Sequence, residues 1–213
     1  MLRFPPTTIF NRSVPKNAFY KHLEVSTSLK QVFVNDVERI VWAYKLASST
    51  LNVAKGKLVE EITVFDFWMK QRICPTELFV FLDKQLPRHM LFILHYENDV
   101  CALINYKEAV SGNTNNAFKI GQTYRTEWMN DVNLTLEGNT MDAVYESLVR
   151  QIAGTQLRDT ADILKADVEE SQQQEQLRKD IAALTKRMNA EVQPQKKFAL
   201  HKQLKELEKQ LKS

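Results

Sequence analysis

Apolar residues fall in two rhythms along this chain. The first is an alternation, or a short unbroken apolar run, of the kind a β-strand buries. Residues 39–47 (RIVWAYKLA) put Ile40, Trp42, Tyr44 and Leu46 on one side. Residues 57–70 (KLVEEITVFDFWMK) are rich in β-branched and aromatic side chains and read as a second, long strand. Residues 90–96 and 100–107 are apolar on both faces, which predicts two strands in the middle of a sheet, joined by a turn at Glu97, Asn98 and Asp99. Residues 117–129 (AFKIGQTYRTEWM) predict a further strand, antiparallel to the one before it. The second rhythm steps by three and four, as a helix requires. It predicts short helices at 17–23 and at 29–37, the latter with an N-cap among Ser26, Thr27 and Ser28. A third helix opens at Pro75, carries Leu78, Phe79, Leu82 and Leu86 on one face, and is ended by Pro87. A fourth opens at Gly138–Asn139 and carries Met141, Val144, Leu148 and Ile152. Residues 1–15 read as extended, because Pro5, Pro6 and Pro15 remove backbone donors; 48–56 and 111–116 read as loops, and 134–136 stays open.

These elements add up to an α+β fold: a mostly antiparallel sheet of about five strands with helices packed on one side of it. The core domain is expected to span 1–154. Residues 155–174 are polar and read as a linker or a solvated helix. From 175 to 213 the pattern changes again. Leu177, Ile181, Leu184 and Met188 step by four, three and four, and Leu200, Leu204, Leu207 and Leu211 repeat the step. Each is a narrow seam of the coiled-coil type, about two heptads long and too short to be stable alone in water. Pro194 can start a helix but cannot continue one, so an antiparallel helical hairpin fits better than a rod. Its seam must be buried internally, on the core domain, or on a partner.

Composition narrows the functional classes. With 44% hydrophobic and 26% charged residues the chain has the makeup of an ordinary globular protein. Five glycines leave no glycine-rich loop to cradle a phosphate. No apolar run approaches the roughly 18 residues of a membrane span, and the N-terminal stretch lacks the apolar segment of a secretory signal. Two cysteines, Cys74 and Cys101, sit in no CxxC or Cys/His cluster, so the expectation is a reducing cytoplasm with no metal and no cofactor. The net charge is +3, but residues 171–213 alone carry ten Lys/Arg against five Asp/Glu. The basic character belongs to the hairpin.

Four chemical readings follow from the residues. His95, among Leu94 and Tyr96 in a central strand, reads as a hydrogen-bonded core residue rather than a catalytic base. A metal-dependent nuclease of the restriction type would need an acid at one strand start and a lysine on the next strand; the candidates are Glu60 or Glu61, with Asp66 and Asp99 behind them, and Lys107. Asn105 stands where the second acid belongs, and the plain alternative for the glutamates is a salt bridge at a sheet edge. Tyr124, Thr126 and Trp128 would share one strand face and could stack single-stranded bases, although packing under a helix is the favoured reading. Arg178, Lys179, Lys186, Arg187, Lys196, Lys197 and Lys202 could contact phosphates, or could simply be a solvated helix surface.

The segments VPKNAFY, ERIVWAYKL, LVEEITVF, LDKQLPRHMLFILHYENDVCALINYK, YRTEW and KKFALHKQLKELEKQL together resemble a bacterial family, the domain of unknown function 4391, over nearly the whole chain. The resemblance implies a context. Genes of this family tend to stand beside those of helicases and DNA methyltransferases, which implies an accessory component of a restriction- or antiphage-type system. It carries over no catalytic residue. The expected function is therefore a non-catalytic, partner-binding subunit. Its seam of Leu177, Ile181, Leu184, Met188, Leu200, Leu204, Leu207 and Leu211 would dock a helicase, a methyltransferase or a second copy. A divergent nuclease and a nucleic-acid-binding module are the alternatives.

Overall fold

The computed structural model describes residues 2–22, 25–86, 88–109, 118–157 and 164–212. The expected loop at 111–116 and the helix stop at Pro87 lie outside the described residues. The chain divides into two compact units, Met1–Gln156 and Leu157–Ser213.

The first unit is built on a six-stranded sheet whose spatial order follows the chain: β1 (Ile9–Ser13), β2 (Val37–Ala47), β3 (Glu61–Met69), β4 (His89–Tyr96), β5 (Asp99–Ala109) and β6 (Phe118–Arg125). All neighbours are antiparallel except β3 and β4, which run parallel and are joined through helix α4 (Thr76–Gln85). A parallel pair needs such a crossover, whereas β4 and β5 need only the turn at Glu97, whose φ of 50° is left-handed. The five strands expected from the sequence are β2 to β6. The sixth, β1, is an edge strand in the proline-flanked start of the chain. Its burial shows no alternation, so no periodic signal marks it.

Helices lie on both faces of the sheet, not on one. Phe65, Phe67, Phe92, Leu94 and Leu103 pack with Phe33 of α2 (Thr27–Asn35) and with Leu78, Phe79 and Leu82 of α4. Their sequence neighbours Val64, Leu91, Ile93, Ala102 and Ile104 are also buried, and strand pleating points them to the opposite face. There α5 (Met141–Ala153) buries Met141, Val144, Tyr145, Leu148, Val149 and Ile152. Strands that are apolar on both sides need a cover on both sides. The remaining helices of this unit are α1 (Lys16–His22) and the single turn α3 (Ser48–Leu51).

Side chains set the element ends. Ser26 Oγ accepts from the Leu29 amide, 3.3 Å, at the start of α2, and Thr140 Oγ1 accepts from the Ala143 amide, 3.2 Å, at the start of α5. The strand expected from residue 57 begins only at Glu61. The Asp142 carboxylate, in the first turn of α5, accepts from the amides of Lys57 (2.6 Å), Leu58 (3.1 Å) and Val59 (2.8 Å), so they cannot join a ladder. Gly56 makes room for this clasp, since a Cβ there would sit 2.4 Å from Asp142 Oδ1. The strand expected to reach residue 129 ends at Arg125. Beyond it Thr126 Oγ1 takes the Ala102 amide at 3.0 Å, in place of a ladder bond.

The second unit holds α6 (Leu164–Ala190) and α7 (Pro194–Lys212), packed together as a hairpin. Pro194 takes the first position of α7, where its missing N–H costs nothing. In the three-residue connection, Glu191 Oε1 accepts from the amides of Val192 (3.0 Å) and Gln193 (2.9 Å). Among the described residues no helix is long and apolar enough to cross a membrane.

Candidate functional site

Chemistry-bearing side chains gather at the two ends of the parallel β3–β4 pair and along the hairpin. At the start of β3 and β4 a polar network is enclosed under α4. Lys107, near the end of β5, has a side chain only 3% exposed. Its Nζ stands 2.7 Å from Asp83 Oδ1 and donates to the carbonyls of Leu86 (3.0 Å) and Arg88 (2.6 Å). The Asp83 contact is an ion pair by distance, without hydrogen-bond alignment at Oδ1. The other carboxylate oxygen accepts from Asn105 Nδ2 at 2.8 Å, and Asn105 Oδ1 accepts from Thr123 Oγ1 at 2.7 Å. Burial pushes the Asp83 carboxyl up, to about 6, while the adjacent Lys107 charge and the Asn105 hydrogen bond hold it down. The Asp83 carboxyl is thus mostly ionised at neutral pH.

Glu61 belongs to the same end of the sheet. It accepts from Arg88 Nη1 at 2.6 Å and pairs with Lys45 Nζ at 2.9 Å. Arg88 links the two acids' surroundings, with its guanidinium on Glu61 and its carbonyl on Lys107. Glu60 is exposed, in the bend before β3. The structure therefore brings Glu61 and Lys107 into one network and leaves Glu60 outside it. Among the described residues no group of three His, Cys, Asp or Glu side chains is placed to hold a metal ion.

On the α5 face of this end, His89 is buried with its ring 4.5 Å from that of Tyr145 and 4.9 Å from that of Phe118. Burial, and then the Lys107 charge, pull its imidazole down to about 3, with Asp142 opposing. Tyr145 Oη donates to the Asn105 carbonyl at 2.6 Å and accepts from the Lys107 amide at 2.9 Å. It ties α5 to the middle of the sheet.

The carboxyl end of β3 and β4 differs. Arg39, Trp68 and His95 stand side by side on β2, β3 and β4, in register and on one face. The Arg39 guanidinium lies 3.6 Å from the Trp68 ring centre, and the His95 ring stacks on Trp68 at 4.8 Å and 15°. Asp66, one row along, is 3.3 Å from His95 Nε2, close but not aligned as a hydrogen bond. The His95 side chain is 21% exposed. It is thus a partly open member of a charged cluster, and the strand-core reading of its sequence is corrected: pleating turns its face away from the core that Leu94 enters.

The family model for the domain of unknown function DUF4391 matches residues 2–211. The chain belongs to this family. No curated protein and no solved structure matches it.

Elsewhere in this DUF4391 chain, Tyr124 is buried and pairs with Ile104 of β5, on the α5 side. Trp128 lies past the end of β6, half-buried against the α4-side core, with the Arg72 guanidinium 5.9 Å from its ring centre. The two rings do not share a face, because the strand that would have aligned them stops at Arg125. Arg178, Lys179, Lys186, Arg187, Lys196, Lys197 and Lys202 are all exposed on α6 and α7, and Lys179 pairs with Glu175 at 2.7 Å. Along the hairpin seam Leu204 is buried; Leu177, Ile181, Leu184, Met188, Leu200, Leu207 and Leu211 are only half-buried. Two further apolar side chains, Val192 (90% exposed) and Phe198 (72%), stand open.

Sequence reading missed the pairing of Asp83 with Lys107 and two further groupings. The Arg39–Trp68–His95 row needs the β2–β3–β4 register, which residue spacing does not give. Cys74 and Cys101 act on one another: Cys101 beside it, then burial, raises the Cys74 thiol, while Cys74, with Thr126 and Arg125 assisting against burial, lowers Cys101 to about 7. Both are free thiols. Only the crossover that sets the start of α4 beside β5 makes them neighbours.

Proposed function

We propose that this protein is a non-catalytic, partner-binding subunit that docks through the apolar seam of its α6–α7 hairpin. The observation that carries the reading is the half-burial of seven of the eight seam residues, although the two helices already pack together. An apolar stripe that its own unit covers only in part, rimmed by exposed lysines and arginines, has the makeup of a helical interface. The partner class rests on the family resemblance: a helicase or DNA methyltransferase of a restriction- or antiphage-type system, met in a reducing cytoplasm. Burial weighs against the nuclease reading, since the Lys107 side chain is 3% exposed and that of Asp83 not at all. Its ammonium already donates to two carbonyls and stands 2.7 Å from the Asp83 carboxylate.

Co-expression with the helicase- and methyltransferase-type proteins encoded beside the gene tests this. The full chain should co-purify with one of them, and a chain lacking residues 171–213 should keep a folded core and lose the partner. Equal recovery of the partner without the hairpin would contradict the reading.

A further inference from the structure

A second surface of the core unit has the features of a ligand site. Beside the Arg39–Trp68–His95 row lies a cleft of about 290 Å³, at the carboxyl end of the parallel pair. Leu2, Val41, Ile93, Val100 and Val132 make the apolar lining. Asn11, Arg39, Tyr44, Asp66 and His95 are the polar groups. A small number of converging polar groups on an apolar wall is the usual makeup of a small-molecule site.

The backbone is shaped around this cleft. The β1–β2 register shifts between Ile9 and Arg12, and Asn11 within that bulge is left-handed, with φ 46°. The β2–β3 register shifts twice, just before Arg39 and just before Tyr44. Bulges re-aim side chains, and here three of the five polar groups sit at one.

The polar groups are also unevenly matched. Trp68 holds the Arg39 guanidinium by stacking, and among the described residues Arg39 has no ion-pair partner. Among the described residues the ion-pair contact of Asp66 is with the misaligned His95 nitrogen. Tyr44 Oη donates to the Leu2 carbonyl at 3.2 Å, and its hydroxyl is raised first by burial and then by Asp66, so it stays neutral. The cleft thus offers one fixed cation, one carboxylate with spare acceptor capacity and an apolar wall.

We propose that this cleft binds a small molecule that carries both an anionic group and a hydrogen-bond donor, with the anion on Arg39, the donor on Asp66 and its apolar body against Val41, Ile93 and Val132. Free α-amino acids and nucleoside monophosphates both present that chemistry at a size the cleft can hold. The site lies wholly within the core unit and does not depend on the hairpin reading.

Thermal shift and tryptophan-fluorescence titration of the full chain test it. One arm uses the individual protein amino acids and one the nucleoside 5′-monophosphates. Controls are amino-acid amides and uncharged nucleosides, which lack the anion. Millimolar or tighter binding is expected in one arm, weakened at least tenfold in Arg39→Ala and in Asp66→Asn, and absent with that arm's control. Arg39 is exposed and Asp66→Asn keeps shape, so both variants should stay folded, as circular dichroism would verify. No binding in either arm, or binding that either variant leaves unchanged, would overturn the proposal.

Discussion

The two units of this protein handle their awkward groups in opposite ways. The core unit takes polar groups inside and matches them: Asp83 and Lys107 are buried, and the ammonium donates to two carbonyls beside the carboxylate. The hairpin leaves apolar groups outside and matches them only in part: one leucine of eight seam residues is buried. Burying a charge is costly unless it is paired, and exposing an apolar stripe is costly unless something covers it. In the core the cost is met within the chain, so the network reads as structural. In the hairpin it is not, so the seam reads as an interface.

The most disruptive way to break this contrast is to remove one half of the buried pair. Lys107→Met should cost about 3–5 kcal/mol in chemical denaturation, because Asp83 is left as an uncompensated buried acid. Adding Asp83→Leu should restore part of that loss. Two independent costs that simply add would contradict the pairing.

Next in size is the pH dependence. His89 has a folded value near 3, below its ordinary 6.5, so the unfolded chain binds the extra proton between them. Its contribution to stability is present above about 6.5 and is lost as pH falls toward 3, by a few kcal/mol in all. Asp83 has the opposite sign: its value is raised from 3.8 to about 6, so its contribution is present below about 4 and lost as pH rises through 6. Between 4 and 6 the two slopes oppose. His89→Phe should therefore lose less stability than the parent as pH falls from 6 to 4. A loss equal to or larger than the parent's over that range would refute the assignment.

A smaller effect is expected at the clasp on α5. Asp142→Ala frees the amides of Lys57, Leu58 and Val59 and should cost about 2 kcal/mol. The loss should be local, seen as faster amide exchange at 57–59 before the rest of the core. Smallest of all, Lys186→Glu with Arg187→Glu on the exposed face of α6 should change stability by no more than about 0.5 kcal/mol.

Much of this architecture was legible in residue order. Strands β2 to β5 are carried by periodicity and by β-branched and aromatic content, and α5 and α7 by apolar spacing beside a cap or a proline. What escaped has physical causes. The edge strand β1 buries almost nothing and so has no pattern. The parallel pairing of β3 with β4 is a fact of topology that no local spacing encodes, and both end clusters depend on it. Asp83 carries no signal that sets it apart within an amphipathic helix, and only the β5 register brings Asn105 and Lys107 beneath it. Leu177 to Leu211 were readable because a helical seam is local, and their incomplete burial is what the structure added.

The interface reading is tested most directly by measuring the affinity of the purified full chain for its co-expressed partner across two variants of the hairpin. Ile181→Ser with Leu207→Ser removes seam apolarity, and Lys186→Glu with Arg187→Glu removes charge. With helicity verified by circular dichroism, the seam variant should bind at least tenfold more weakly and the charge variant within about threefold of the parent. Full affinity in the seam variant, with the charge variant abolishing binding, would contradict the account and turn the hairpin from an apolar docking helix pair into an electrostatic one.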